Sequence, residues 1–482
     1  MRLFTNHEAA DLSDPATTRL VYNALDNCIT RGVADELMPK VVAQAEAARV
    51  YRAERTIQAA AMAVQWRGIK VDMEARKFAQ GVLSRAMRRA ERVLCRAVGY
   101  EVNPRSPDQL KKLFYEQFGL QVRRDKKTGK PTTGIDALEK IRDGKAKFQS
   151  NDKKREWRVT AMFVARCILA IRDWKKQSDV LRSKVRKGRL RCTFSVGSTD
   201  TFRFSSTKSH MGDGTNLQNI TARRRYIAVP DNGFVLVGMD QEQAESRIVA
   251  YASGDPAYIE AHESEDTHTY VCRLVWPDED WCGEIGPDRE LAEEPNFLRH
   301  FSRRDLAKRV QHGLNYGATE HSLARTLQIT IKEAKALAVR YFNTFPGIRA
   351  WQREIIRQVK EHGVLHYPGG YMRQFFDRTW DAATHRAAIA SYPQSICAWI
   401  NHIAFTRIWR EFDGDYRAGH EGPDVQVLLH GHDAVDFQVR AEWADELIPQ
   451  IVERAKVAWP MPGGTMIMPW DVKRGDNWKE VS

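Results

Sequence analysis

FVLVGMDQEQAESR, residues 234–247, joins the two kinds of secondary structure from which the fold of this chain can be predicted. Its first part is a short apolar run with valine at several positions, and it predicts a buried strand that ends in the carboxylate of Asp240. A helical pattern follows from about residue 241 to residue 261. The sequence therefore predicts a strand that carries a carboxylate directly to the start of a helix.

A second carboxylate lies in a predicted hairpin near the end of the chain. The segment VQVLLHGHDAVDFQV predicts two strands around a tight turn that holds His432 and Asp433. Phosphoryl-transfer sites use paired metal ions roughly 3.5–4 Å apart, bridged by carboxylates from rigid elements. Asp240 and Asp433 are candidates for such a pair. Their spacing does not show that they meet, and aspartate is also a common turn residue.

A third feature lies in RRDLAKRVQHGLNYG, within a helical pattern that runs from residue 303 to residue 363. Arg304, Lys308, His312 and Tyr316 recur every four residues, and such a stripe drifts by only about 40° per step. Two cations, an imidazole and a phenol therefore lie along one face, where the cations could grip a phosphorylated ligand. The alternative is a surface helix with incidental charges, which explains the Tyr-Gly pair at its end less well.

The composition favours a polyanionic partner. The net charge is +13, and bound Lys and Arg side chains release the counterions that condense on phosphates. Basic loops at residues 123–130, 153–155 and 184–191 fit a surface that follows a phosphate backbone. A solvated positive surface without a specific partner remains the alternative.

The length of 482 residues predicts two to four domains. Helical patterns cover residues 33–66 and 71–98, separated by Gly68, and the acidic segment 277–295 is predicted to be an exposed insertion. The seven cysteines include no CxxC pair, which indicates reduced thiols and a cytoplasmic protein. The start lacks an apolar signal region, and no run of 18 apolar residues predicts a membrane span.

Several separate blocks, in the same order, resemble the motifs of family A (polymerase I-like) DNA polymerases. The resemblance covers the chain from about Tyr51 to its end. The blocks are TFRFSS (201–206) with NLQNI (216–220), similar to TGRLSS…NLQNIP; DQEQAESR (240–247), similar to motif A, DYSQIELR; RDLAKRVQHGLNYG (304–317), similar to motif B, RxxxKxxxFxxxYG; RAAIASYPQ (386–394), similar to RxAxNxPxQ; and GHDA (431–434), similar to motif C, VHDE. VNPRSPDQLKKLF (102–114), KTGKPTT (127–133) and GDNW (475–478) resemble further segments of the family.

The resemblance implies an α/β (α+β) fold shaped like a right hand. We expect a helical thumb at residues 49–190, a palm at 191–255 and 391–482 whose antiparallel sheet holds both aspartates, and helical fingers at 256–390. Residues 1–48 are expected to be the last helices of a 3′–5′ exonuclease domain without its active site, because only Tyr22 and Asp26 match that domain's YxxxD motif. This compact arrangement suggests a phage or another mobile element.

The resemblance also implies the reaction, which is the addition of a deoxynucleoside monophosphate to a primer 3′-hydroxyl with release of pyrophosphate. Asp240 and Asp433 are implied as ligands of two Mg²⁺ ions, for which Mn²⁺ can substitute, and the backbone carbonyl of Gln241 as a further ligand. The implied nucleotide-binding residues are Arg304 and Lys308 at the triphosphate, Tyr316 at the nascent base pair, Glu245 as a steric gate against ribose, Gln243 beside that gate and His312 near the sugar. The implied DNA contacts are Arg203, Asn216, Gln218, Gly317, Arg386, Gln394 and His432.

Four departures from the family pattern bear on this interpretation. Ala434 replaces the glutamate of motif C, which we take to assist rather than to be essential. Ala390 replaces an asparagine, so a contact with the DNA groove is in doubt. His312 replaces an aromatic residue, which puts sugar recognition in doubt, and motif A reads QEQAES where Tyr and Ser are usual.

Two other functions remain open. A single-subunit RNA polymerase shares this fold, although Glu245 and the NLQNI block argue against it. A catalytically inactive, nucleic-acid-binding relative is the second alternative, which the four retained residues Asp240, Asp433, Arg304 and Lys308 argue against. The expected partners are primer-template DNA, dNTPs and a separate 3′–5′ exonuclease or processivity factor, with no membrane.

Overall fold

The computed structural model describes residues 13–125, 128–298, 300–376, 378–413 and 422–482. The first twelve residues of the predicted exonuclease remnant, and Lys127 of the KTGKPTT segment, lie outside the described residues. Helices dominate the N-terminal part, whose elements are α1 (Pro15–Val42), α2 (Ala45–Arg67), β1 (Ile69–Val71), α3 (Met73–Val98), α4 (Pro107–Lys111), α5 (Ile135–Arg142) and α6 (Asn151–Leu181).

The remaining elements alternate between short strands and helices. The middle of the chain contains β2 (Arg189–Leu190), β3 (Cys192–Ser195), β4 (Ser205–Lys208), β5 (Ala228–Val229), β6 (Phe234–Gln241), α7 (Ala244–Ser253), α8 (Pro256–Glu263), α9 (Thr267–Val275), α10 (Ile285–Glu293), α11 (Arg303–Asn315), α12 (Glu320–Leu327), α13 (Ile331–Thr344) and α14 (Pro346–His362). The last part contains β7 (Val364–Tyr367), β8 (Tyr371–Gln374), α15 (Ala382–Ile408), β9 (Val425–His430), β10 (Ala434–Arg440), α16 (Ala444–Ala455), β11 (Ala458–Met461), β12 (Gly464–Ile467) and β13 (Trp470–Gly475).

A four-stranded antiparallel sheet of order β13-β6-β10-β9 forms the centre of the molecule. Strand β6 lies inside this sheet, so both of its edges are paired, and Leu236, Val237 and Met239 are buried. Gly238 is required here because a Cβ atom would lie 2.1 Å from the carbonyl oxygen of Val481, which packs on the strand. The predicted strand 234–240 and the predicted hairpin 425–439 are both confirmed.

A second, separate core lies in the helical part of the chain. It is built from buried side chains between Leu94 and Ile171, which come from the end of α3, from α4 and the segment after it, and from α5 and α6. Helix α2 instead contributes Ile57, Ala60 and Val64 to the main core that surrounds the sheet. Two apolar cores joined through α3 and α6 therefore support the chain.

The predicted helical stretch 71–98 is confirmed as α3, whereas other predicted stretches are divided into shorter helices. Residues 33–66 form parts of α1 and α2, which are separated at Gln44, an extended residue. The Ala-, Glu- and Arg-rich sequence favours a helix on both sides, so helix propensity gives no signal for this break. The predicted helix 241–261 is likewise divided, because Gly254 in the left-handed conformation ends α7 and Asp255 caps the start of α8.

The acidic segment 277–295 is largely exposed, as predicted, but one buried carboxylate anchors it to the fold. Its helix α10 carries Asp288, which is buried and binds Arg273 at 2.5 Å while accepting backbone N–H groups of Cys282 and Gly283. Buried carboxylates need such partners, so this segment is anchored to the fold at that point. Most of its other side chains are exposed or half-buried.

Within the described residues, helix α1 has α2 as its main packing partner, and none of its own residues is buried. Its apolar side chains remain exposed at Leu20, Tyr22, Leu25, Ile29, Val33 and Leu37. None of the helices that the structure describes is long and apolar enough to cross a membrane.

Candidate active site

The sheet brings the two candidate metal ligands together. Asp240 near the end of β6 is paired directly with Ala434 of β10, and Asp433 lies in the turn just before it. The backbone N–H of Gln241 donates to the carbonyl oxygen of Asp433 at 2.9 Å, which fixes the turn against β6. Burial, followed by the negative charge of Asp433, raises the pKa of Asp240 to about 6.

This arrangement fits divalent cations. Two carboxylates held close together on rigid strands repel each other, and a cation relieves this repulsion. Among the described residues, no group of three or more His, Cys, Asp or Glu side chains converges as a metal site. The candidate ligand set is therefore Asp240, Asp433 and a backbone carbonyl such as that of Gln241, whose own side chain is turned inward to the carbonyl oxygen of Cys397 at 3.2 Å. Such a set leaves positions for water and for a phosphorylated substrate.

A cavity of about 660 Å³ lies between the carboxylates and helix α11. Its lining contains eight of the residues that the sequence predicted at the metal or nucleotide site, which are Asp240, Gln241, Gln243, Glu245, Lys308, His312, Tyr316 and Asp433. Residues from the two predicted signals, the strand-end carboxylates and the helical stripe, therefore share one cavity.

Helix α11 has two distinct faces that explain this placement. Leu306, Val310 and Leu314, spaced by four residues, are buried against the core. Lys308 and His312 lie on the other side and line the cavity. The helix begins at Ser302, whose hydroxyl accepts the N–H of Asp305 at 3.1 Å, so the register of the stripe is fixed by a cap.

Arg304 does not line the cavity. Its guanidinium is held by both carboxylate oxygens of Asp266, at 2.7 and 2.8 Å, and by the hydroxyl of Thr269 at 2.8 Å. Glu293 of α10 lies 3.5 Å from the same guanidinium. In this structure the first cation of the predicted stripe is therefore neutralised by Asp266, which caps the start of α9, and by Glu293 of α10.

His268 lines the cavity, and the sequence analysis missed it. Burial, followed by the positive charges of Arg304 and Lys308, lowers its pKa to about 4, so the imidazole is neutral at pH 7. Its Nδ1 atom has no hydrogen-bond partner within the described ranges. Buried polar atoms are usually hydrogen-bonded, so this atom is available to water or to a ligand in the cavity. No charge pattern in the sequence marks His268, because the fold alone brings α9 beside α11.

The predicted steric gate is held by a partner from another part of the chain. Glu245, in the first turn of α7, forms a short ion pair with Arg203, and both side chains are about three-quarters buried. Gln243 precedes the helix with a positive φ of 48° and donates to the hydroxyl of Thr267 at 3.2 Å. The carboxylate of Glu245 thus has a fixed position at the cavity wall.

The predicted DNA contacts have different surroundings. His432 and Gln218 line a smaller cavity of about 190 Å³, which Asp240 and Asp433 also line. Asn216 is used locally, because its side chain binds the hydroxyl of Ser206 and the N–H of Asn219. Arg386 is exposed and Gln394 half-buried on α15.

Two other positions bear on the same surface. Gly317, with a φ of 70°, lies against α15, because a Cβ atom would be 3.2 Å from Ile389 and 3.8 Å from the side chain of Arg386. Ala434 presents only a methyl group directly beside Asp240, where the family pattern has a longer carboxylate. Ala390, the other alanine that departs from the pattern, is half-buried on α15.

The chain is similar to known proteins in sequence and in structure. The family model described as DNA polymerase family A matches residues 74–480. DNA polymerase I, thermostable, of Thermus filiformis is 28% identical over 83% of this chain and 45% of its own length. DNA polymerase I of Streptococcus pneumoniae (strain ATCC BAA-255 / R6) is 30% identical over 74% of this chain and 38% of its own.

A solved structure is also similar. It is the POL domain of Pol1 from M. smegmatis in complex with DNA primer-template and dNTP, with a TM-score of 0.75, 25% identity, and coverage of 94% of this chain and 75% of that one. The fold is therefore that of a right-hand polymerase, as the sequence predicted. The chain belongs to DNA polymerase family A, and it spans less than half the length of the curated relatives named above.

Proposed function

We propose that this chain is a template-directed DNA polymerase that adds deoxynucleoside monophosphates to a primer 3′-hydroxyl and releases pyrophosphate. The observation that carries the proposal is the shared cavity, which joins the carboxylates of Asp240 and Asp433 to Lys308, His268 and Glu245. A nucleotide needs these groups together, because its triphosphate requires cations and its sugar requires a shaped wall.

Members of the family use divalent metal ions, and we propose two Mg²⁺ ions, with Mn²⁺ as a substitute, at Asp240, Asp433 and the carbonyl of Gln241. Such ions, when bound, lower the pKa of the attacking hydroxyl and neutralise the triphosphate and the leaving pyrophosphate. The protein contributes rigidity, because β6 and β10 are paired along their whole length.

The other cavity residues bind and orient the nucleotide. Lys308 supplies a cation for the triphosphate, and neutral His268 supplies a hydrogen-bonding nitrogen close to it. The rings of His312 and Tyr316 form a T-shaped pair at a centroid distance of 5.0 Å. An imidazole and a phenol therefore lie at the far end of the stripe, where we propose the sugar and base lie. Arg304 would join the triphosphate only after exchanging its contacts with Asp266.

Primer-template DNA is the proposed macromolecular partner. The M. smegmatis domain was solved with DNA primer-template and dNTP, and the net charge of +13 suits a phosphate backbone. Arg203, His432 and Gln394 are proposed to contact the primer end and the minor groove, with Asn216, Gln218, Arg386 and Gly317 around them. Three features stay predictions: the boundaries of the thumb, palm and fingers, the exonuclease or processivity partner, and the cytoplasmic location.

The choice between deoxyribose and ribose separates the two enzymatic alternatives. Glu245 lines the cavity and is fixed by Arg203, so a carboxylate occupies a defined place in the wall. A fixed carboxylate can exclude a 2′-hydroxyl by volume, and this favours a DNA polymerase over a single-subunit RNA polymerase.

The test is primer extension by the Asp433→Ala variant. Loss of a metal-binding carboxylate is expected to lower the rate on the order of a thousandfold or more, with little change in DNA affinity, because phosphate contacts elsewhere dominate binding. Asp445→Ala is the matched control, since its side chain is 97% exposed on α16. Extension by Asp433→Ala at nearly the wild-type rate would show that the proposed active site is wrong.

A further inference from the structure

Two buried histidines that the proposed mechanism does not use form a chain of hydrogen bonds that ends at the backbone of Phe202. His402 of α15 and His430 at the end of β9 are each 1% exposed. Nδ1 of His402 lies 2.9 Å from Nε2 of His430, and Nε2 of His402 lies 2.8 Å from the carbonyl oxygen of Phe202. Phe204 stacks on both imidazoles at centroid distances of 4.5 and 4.2 Å.

The partners of the two imidazoles fix the direction of every hydrogen bond in this hydrogen-bonded chain. A carbonyl oxygen only accepts, so Nε2–H of His402 must donate to Phe202. Nδ1 of neutral His402 then accepts from Nε2–H of His430. The two amide protons of Asn401 are directed to the carbonyl oxygens of Gly431 and Ala434, each at 3.2 Å, because its 3.2 Å contact with Nε2 of His430 would join two donors.

Burial agrees with this neutral, directional arrangement. Burial lowers the pKa of His402 to about 4, and burial with the neighbouring His402 lowers the pKa of His430 well below its ordinary value. Both rings are therefore uncharged at pH 7 and can keep the single tautomer that the chain requires.

The two ends of the hydrogen-bonded chain, Phe202 and His430, lie beside two parts of the active site. Phe202 has a positive φ of 59° and immediately precedes Arg203, which holds the gate carboxylate Glu245. His430 precedes the turn that carries His432 and Asp433. A non-glycine residue with positive φ is held by its surroundings, and here its carbonyl is bound by His402.

We propose that the His402–His430 pair is a positioning unit that holds the Arg203 turn and the Asp433 turn in fixed relation across α15, so that alignment of the primer end depends on it. The inference rests on the proposed polymerase function. If the pair only fills the core, any apolar side chain of similar size should serve as well.

Three variants separate positioning from packing. His402→Leu keeps most of the volume and removes both hydrogen bonds. His402→Gln keeps one acceptor for His430 and one donor for Phe202, and so should rescue the function. Phe405→Leu is the matched control. Phe405 is buried with its ring centroid 4.9 Å from that of His430, but it takes no part in the hydrogen-bonded chain.

The readouts are primer-extension rates on matched and mismatched primer ends, and hydrogen exchange of residues 199–206 and 431–434. His402→Leu is expected to slow matched extension on the order of tenfold and to narrow the matched-to-mismatched ratio, since it leaves buried groups unpaired. Exchange should rise in both segments. His402→Gln should restore both readouts, and Phe405→Leu should lower the unfolding midpoint without changing the ratio.

The inference fails if His402→Leu keeps the wild-type ratio and exchange pattern, or if Phe405→Leu reproduces its effects. Should His402→Leu not fold, His402→Asn replaces it, because a side chain one methylene shorter than Gln cannot reach both partners. If the wild-type protein does not extend primers, that result refutes the proposed function alone. Hydrogen exchange needs no turnover, so it still tests whether the His402–His430 pair holds the two turns.

Discussion

Replacing Asp436 by asparagine should stabilise the protein above neutral pH and not at acidic pH. Asp436 lies on β10, directly opposite Gly238 of β6, and its carboxylate accepts the indole N–H of Trp478 at 3.0 Å. The residue is 6% exposed, and burial raises the pKa of its carboxyl from 3.8 to about 7, against the opposing charge of Arg225. Asparagine keeps the acceptor and removes the charge.

The sign and size of the expected change in the free energy of unfolding follow from proton uptake on folding. Between pH 3.8 and about 7 the unfolded chain has lost the proton of Asp436 while the folded protein keeps it, so stability falls as the pH rises through this window. Each pH unit corresponds to about 1.4 kcal/mol. The Asn variant lacks this pH dependence. Its free energy of unfolding relative to that of wild type should therefore rise by on the order of 4 kcal/mol between pH 4 and pH 8.

The assay is chemical denaturation followed by tryptophan fluorescence from pH 4 to pH 8, with a chelator present to exclude metal ions. The thirteen tryptophans report the global unfolding of the chain, and one of them, Trp478, contacts Asp436. Asp445→Asn is the control, because it makes the same substitution at an exposed carboxylate on α16. A stability difference between Asp436→Asn and wild type that stays constant with pH would refute the reasoning.

Three further predictions concern substrate choice and proofreading. Glu245→Ala should raise the ribonucleotide-to-deoxynucleotide ratio of kcat/KM while part of the dNTP activity remains, and an unchanged ratio would rule out a gate. His312 should act like a tyrosine through its polar ring nitrogen, so His312→Phe should discriminate more sharply against ddNTPs; equal ddNTP/dNTP ratios would show that His312 only fills volume. The polypeptide of residues 1–482, tested alone, should show no 3′–5′ exonuclease activity, because Asp26 alone cannot form a two-metal nuclease site; metal-dependent degradation of a single-stranded primer that survives Asp240→Ala would contradict this.

Local patterns were sufficient to predict the elements that carry the carboxylates. The run from Phe234 to Asp240 and the hairpin around Asp433 have strong strand signals, and both elements occur as predicted. That the two carboxylates lie together came from the family resemblance, because no spacing in the sequence determines which strands pair. The register that sets Asp240 opposite Ala434 is a property of the whole sheet.

Contacts between distant segments could not be predicted in this way. His268 reaches the cavity because α9 packs beside α11, and His402 meets His430 across 28 residues of chain. A buried histidine and an exposed one look alike in a single sequence, since neither charge nor periodicity distinguishes them. The break between α1 and α2 was missed for a related reason, because helix propensity is the same on both sides of Gln44.

Arg304 illustrates why a correct helical stripe does not by itself assign a role. The spacing places Arg304 on the predicted face, yet Asp266 and Glu293 determine where its guanidinium points. Asp266 also caps the start of α9 by accepting the N–H of Thr269 at 3.3 Å, and His268 lies within that first turn. Arg304 is thus tied to the element that carries a cavity residue. Removing it would take away a cation and also loosen His268, so lost activity in an Arg304 variant cannot be assigned to triphosphate binding unless the position of α9 is shown to be unchanged.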